Sequence, residues 1–185
     1  IVDMNTLEII GHEALSRGPK DSEFQSPLLL FTFAAKCGLS FEVDSLCRKK
    51  AFNRVRDLKP QKKIFVNTLT MTIHDPEFRG MYLKELLEDL KIKPENVILE
   101  ISEKLAIDNY DMFRAALQDY TDIGIVHASD DIGTGHSDLE RIMELKPGFM
   151  KIDISFVKDI DQSFIKQEIV KAMVTLADSI NSLII

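Results

Sequence analysis

Short apolar runs alternate with longer amphipathic stretches along this chain. Ile1-Val2-Asp3, a polar turn at Met4-Asn5-Thr6 and the segment Leu7 to Leu15 predict two strands joined by a tight turn. After the loop Gly18-Pro19-Lys20-Asp21, the apolar stretch Leu28 to Cys37 closes on Gly38, which suits a helix stop. Phe41 to Val55 places Phe41, Leu46, Ala51 and Val55 near one face with Lys and Arg opposite, the pattern of an amphipathic helix. Lys63 to Asn67, Asn96 to Ile101, Ile123 to Ala128 and Phe149 to Asp153 read as short strands. Helices are predicted between them at Tyr82 to Leu90, behind the candidate N-cap Asp108 (Phe113, Ala116, Leu117, Tyr120), and at Ser137 to Leu145. The strongest helical stripe is the last, through Ile165, Ile169, Met173, Leu176 and Ile180. Strands of about 5 residues alternating with helices of about 10 to 20 predict parallel βα units, and so an α/β fold with either an open doubly wound sheet or a barrel.

The polar residues fall where such folds keep their chemistry. Glu13 lies in the first run, and Asn67, Glu100 and Asp130-Asp131 each follow an apolar strand. Lys151 and Asp153 are two apart in a fifth, which predicts one strand face for both. Strand C-termini of parallel α/β folds converge, so these oxygens are expected to face one another. Carboxylates that close repel, and one protonates unless cations neutralise them. An all-oxygen set without imidazole or thiolate points to Mg2+ or Mn2+, as a pair, with the adjacent aspartates as the bridge. Two such ions suit phosphate-ester hydrolysis. Taken singly, each acid has a plainer reading as a solvated residue or a helix cap. Asp130-Asp131-Ile132-Gly133-Thr134-Gly135 can likewise be a turn into the helix at Ser137. Gly133-x-Gly135 matches neither the dinucleotide fingerprint nor the P-loop.

Composition narrows the classes. The 185 residues, 45% hydrophobic and 29% charged, fit one globular domain. A net charge of −7 argues against a DNA or RNA grip. The longest uncharged stretch, Phe24 to Ala35, is too short and too polar to span a membrane, so no direct insertion is expected. Cys37 and Cys47 show no zinc or disulfide spacing and are read as buried thiols in a reducing, cytoplasmic setting.

At Glu13-Ala14-Leu15 the chain resembles the EAL domain family, bacterial phosphodiesterases that linearise cyclic di-GMP. The resemblance extends through Glu13-Ala14-Leu15-Ser16-Arg17-Gly18, Phe65-Val66-Asn67 and Ile98-Leu99-Glu100-Ile101-Ser102-Glu103. It continues through Asp130-Asp131-Ile132-Gly133-Thr134-Gly135-His136-Ser137 and Met150-Lys151-Ile152-Asp153, in the family's order and spacing. It implies a modified TIM-type (β/α)8 barrel with an antiparallel first strand. It also implies one metal held by Glu13, Asn67, Glu100 and Asp130, with Asp130 shared and Asp131 belonging to a second ion that Asp153 helps order. Lys151 would contact the attacking water or the phosphate, Arg17 would pair with a substrate phosphate beside Leu15, and Glu103 would steady the loop Ile132 to Leu139. A homodimer, and other signalling domains in the full-length protein, are implied as well. Ca2+ is expected to bind without supporting turnover.

Three residues depart from the family's habit, all in or beside that loop: Ser129, Ile132 and His136. A barrel of this type needs about 250 residues. The 185 residues are therefore expected to be a single EAL-like domain truncated at both ends, mostly the C-terminal one, and inactive alone. For the intact domain the leading expectation is metal-dependent hydrolysis of cyclic di-GMP to linear pGpG. The competing one is a non-catalytic module that binds cyclic di-GMP and relays it; a scaffold without ligand ranks last.

Overall fold

The alternation of short and long segments becomes one parallel sheet with helices on a single face. The computed structural model describes residues 1–55, 62–70, 75, 80–102, 110–133 and 138–185. Strands β1 (Gly11–Ala14), β2 (Lys63–Thr68), β3 (Val97–Ser102), β4 (Val126–Ile132), β5 (Phe149–Ile152) and β6 (Leu183–Ile184) pair in that order. Every pairing is parallel and the sheet curls as a half-barrel, the incomplete TIM-type α/β fold expected. The antiparallel opening survives as a single bridge, Val2 with Ile9, ahead of β1. At Gly11 a Cβ would come within 2.7 Å of the Lys63 carbonyl, so β1 approaches β2 this closely only with glycine there.

The connecting segments are α1 (Pro27–Lys36), α2 (Ser40–Val55), α3 (Gly80–Asp89), α4 (Tyr110–Asp122), α5 (Asp138–Leu145), α6 (Ile154–Val157) and α7 (Phe164–Ser179). Proline opens α1, where its missing N–H costs nothing. Ser163 caps α7 by accepting from the Lys166 N–H.

Strand side chains alternate between two cores. Ile64, Val66, Val97, Leu99 and Ile101 point to the helical layer and pack with Phe52, Leu83, Leu87, Phe113, Leu117 and Tyr120. Phe65, Ile98, Ala128 and Phe149 fill the other, concave face, where the Phe65 and Phe149 rings meet edge-on at 5.3 Å.

Several expectations needed correction. The buried stripe of α2 is Asp44, Arg48 and Phe52, while Leu46 is exposed, because a buried ion pair rather than an apolar row turns the helix inward. Strand β4 starts later and runs longer than Ile123 to Ala128: Gly124, at φ 94°, makes the turn, and pairing continues through Asp130-Asp131 to Ile132. Ile165 is exposed, and α7 buries Ala177 with Met173, Leu176 and Ile180 against it. Cys37 is exposed at the end of α1 and Cys47 half-buried on α2, so neither is a core thiol. Asp108 lies outside the described residues.

Candidate functional site

On each of the first five strands, the concave-face residue is followed two positions later by a polar one. Gly11 leads to Glu13, Phe65 to Asn67, Ile98 to Glu100, Ala128 to Asp130 and Phe149 to Lys151. The period-two repeat of a strand thus lifts five functional groups above one apolar layer. The three acidic ones converge on the Lys151 ammonium, which stands 2.6 Å from Glu100 Oε1, 3.0 Å from Asp130 Oδ1 and 3.4 Å from Glu13 Oε1. The Asn67 amide bridges two of the same carboxylates, its Nδ2 donating to Glu13 Oε1 at 3.2 Å and to Glu100 Oε2 at 3.1 Å.

Burial sets the electrostatics. Glu100 is 0% exposed, and desolvation pushes its carboxyl up to about 8, against the pull of the Lys151 ammonium. For Lys151 burial works the other way, but the hydrogen bond and charge of Glu100, with Asp130, outweigh it and raise the ammonium above its ordinary value. Lys151 is therefore held protonated.

A β-bulge shapes the fourth strand. Ser129 pairs with Met150 and Ile132 with Ile152, so Asp130 and Asp131 together oppose Lys151 alone. Asp131 takes the left-handed conformation (φ 55°) that this extra residue requires. The bulge also reverses the alternation: Ala128 belongs to the concave core, but Ile132 packs on the helical side with Met150. Gly133 follows at φ 108°, and a Cβ there would overlap the Phe156 ring of α6. Asp153 lies past the end of β5 rather than on its face beside Lys151. It caps α6, its Oδ1 accepting from the Ser155 N–H at 2.8 Å, and its own N–H donates to the Ile132 carbonyl. Glu103 and residues 134–137 of the following loop lie outside the described residues.

A cleft of about 670 Å³ opens beside Glu13 and Asn67, between β1, β2 and the first two helices. Leu15 and Arg17 line it, both exposed, and Arg17 Nη1 donates to the Ser16 carbonyl at 2.7 Å. Deeper lie Asp44 and Arg48, which form an ion pair one helical turn apart, with Arg48 Nη2 2.9 Å from Asp75 Oδ2. Sequence reasoning missed this group. The i, i+4 spacing of Asp44 and Arg48 was the available signal, but it is also the commonest surface pattern on a helix.

The donor set suits a hard divalent cation: oxygens from four side chains, with Glu100 Oε1 buried, lacking conventional hydrogen-bond geometry and met by an ammonium. Among the described residues no three His, Cys, Asp or Glu side chains close on a common ion-sized point. Lys151 stands between them, and Asn67 turns its donor rather than its oxygen inward.

The EAL domain family model matches residues 1–185. Cyclic di-GMP phosphodiesterase PdeA of Borreliella burgdorferi is 31% identical over 159 residues, covering 84% of this chain and 24% of that protein. The blue light- and temperature-regulated antirepressor BluF of Escherichia coli is 27% identical over 182 residues, covering 97% of this chain and 44% of that protein. The chain thus spans less than half the length of these curated relatives. Among solved structures, Klebsiella pneumoniae BlrP1 superposes with a TM-score of 0.84 in both its calcium and its manganese complexes with cyclic di-GMP. It is 27% identical, with 97% of this chain and 45% of that one covered. No described helix is long and apolar enough to cross a membrane.

Proposed function

This chain belongs to the EAL domain family, and from that premise we propose that its site hydrolyses one phosphodiester of cyclic di-GMP, giving linear pGpG. The observation that carries the proposal is the meeting of Glu13, Glu100 and Asp130 on one cation, with Asn67 bridging two of them. Four strands, far apart in sequence, contribute those side chains. A fold without cation chemistry gives them no reason to gather.

Glu13, Asn67, Glu100 and Asp130 would hold one Mg2+ or Mn2+, and Asp130 with Asp131 the second, with Asp153 helping to order that half. Bound there, the ions supply positive charge that makes water a better nucleophile and offsets charge gathering on phosphate. The protein's own groups do the rest. Arg17 pairs with a phosphate oxygen at the mouth of the cleft, a charge-assisted contact, and Leu15 packs beside the substrate. Lys151, held protonated, donates a hydrogen bond to the incoming water or to a non-bridging oxygen. The water oxygen bonds to phosphorus as the P–O bond to the ribose 3′ oxygen breaks. The products are a 5′-phosphate and a 3′-hydroxyl, one proton passing to the leaving oxygen.

A second reading, a module that binds cyclic di-GMP without cleaving it, is favoured by one observation: a relative covering 97% of the chain is an antirepressor. Incubation of the whole protein with cyclic di-GMP and Mn2+ separates the two. Formation of pGpG supports hydrolysis; tight binding without product supports the module; neither removes both.

A further inference from the structure

Lys151 reaches the carboxylates from the strand beside Asp130, and only 14% of its side chain is exposed. Its ammonium already satisfies the groups that the proposed function assigns to an ion. An Mg2+ or Mn2+ ion sits roughly 2.0–2.2 Å from its oxygen ligands. An ammonium about 3 Å from those same oxygens would share that space and repel the ion strongly where so little water screens it. Asn67 points the same way. Its NH2 group faces Glu13 and Glu100, whereas a ligating amide must present its oxygen. The arrangement is therefore self-consistent for one kind of occupant at a time.

We infer, on the basis of the proposed function, that the Lys151 ammonium and a divalent ion are alternative occupants of the Glu13–Glu100–Asp130 cage, so that ion binding is an exchange. Loading the site requires Lys151 to swing out on its four-carbon stem and the Asn67 amide to rotate. The displaced ammonium is then free to meet a substrate phosphate. Until that exchange it is engaged by three carboxylates, so the same side chain shields the cage in the ion-free protein and becomes available to substrate only after loading. With its three N–H donors facing Glu13, Glu100 and Asp130, the ammonium has none left for a phosphate until the ion takes its place.

The test is calorimetric titration of the whole protein with Mn2+ in the absence of any nucleotide, for wild type, Lys151→Met and Lys151→Arg. The methionine variant keeps the length and loses the charge. It should bind Mn2+ at least roughly tenfold more tightly, melt at a lower temperature when ion-free, and gain more on loading than wild type does. The arginine variant, which restores a cation, should move affinity back toward wild type. Should Lys151→Met fail to fold ion-free, the comparison is made from the manganese-loaded side, by chelator competition, and the same ranking is expected. Equal or weaker Mn2+ binding by Lys151→Met overturns the exchange while leaving the metal site intact. Failure of both wild type and Lys151→Met to take up Mn2+ overturns the metal-dependent function, and the exchange with it.

Discussion

Glu100 Oε1 lies 2.6 Å from Lys151 Nζ across two strands that are not neighbours in the sheet, with the Glu100 side chain wholly buried. Strand β4 lies between them and supplies Asp130 to the same ammonium. Such a pair costs desolvation on both sides, and the site keeps it only because several partners share the charge.

Glu13 sits on β1, the first strand in the sheet order. Its side chain is only part-buried and its strand is four residues long, so Glu13→Ala should leave folding nearly unchanged. Formation of pGpG by the whole protein should fall by more than the roughly 100-fold that loss of an outer partner costs at a metal site. Product chromatography beside a thermal melt checks both halves; turnover within a few-fold of wild type would remove Glu13 from the ligand set.

Glu100 gives a pH signature to the ion-free protein. Its carboxyl is raised from 4.5 to about 8, so between those values the folded state binds a proton that the unfolded state releases. Stability should therefore decline as pH rises through that window. Lys151 acts only above it, because its own shift is upward from 10.5. Denaturant midpoints measured in chelator at about pH 5 and about pH 8 should differ in wild type, and the difference should shrink in Glu100→Gln.

Gly133 is held at φ 108° with the Phe156 ring against it. Gly133→Ala should destabilise the protein by about 1–3 kcal/mol through backbone strain, with an added penalty from displacing the ring. Urea unfolding gives the number, and Mn2+ titration shows whether the disturbed bulge weakens ion binding.

Arg48 is buried with Asp44 and Asp75 around it. Burial lowers its guanidinium to about 10, with Asp75 opposing the shift, and it remains charged at neutral pH. Arg48→Ala strands two carboxylates in the interior and should cost about 3–5 kcal/mol. Asp44→Asn, which keeps the shape, should cost less; urea unfolding of the two variants beside wild type gives the comparison.

Much of the site was legible because strand periodicity is rigid. Once Phe65, Ile98 and Phe149 are read as inward, Asn67, Glu100 and Lys151 must follow on the same face. What periodicity could not supply was its own interruption. Nothing in Asp130-Asp131 distinguishes a bulge from plain alternation, and the left-handed Asp131 emerges only from the pairing of β4 with β5. Asp153 was misplaced for the related reason that a strand's last residue and a helix cap look alike in sequence. The inward turn of α2 was hidden because a buried arginine has no hydrophobic signal, and its partner Asp75 lies 27 residues away. Cys37 and Cys47 were assigned to the core by residue type alone, which helix position overrides.

The two-residue step from the apolar layer to the polar one makes the sheet intolerant of misalignment. If β3 slid by a single position against its neighbours, Leu99 or Ile101 would occupy the rim and Glu100 would be driven beneath α4, among Phe113 and Leu117. A mistake that displaced the polar rim would also wreck the packing, so Glu100 and its neighbours on that rim help proofread the assembly of the protein that carries them.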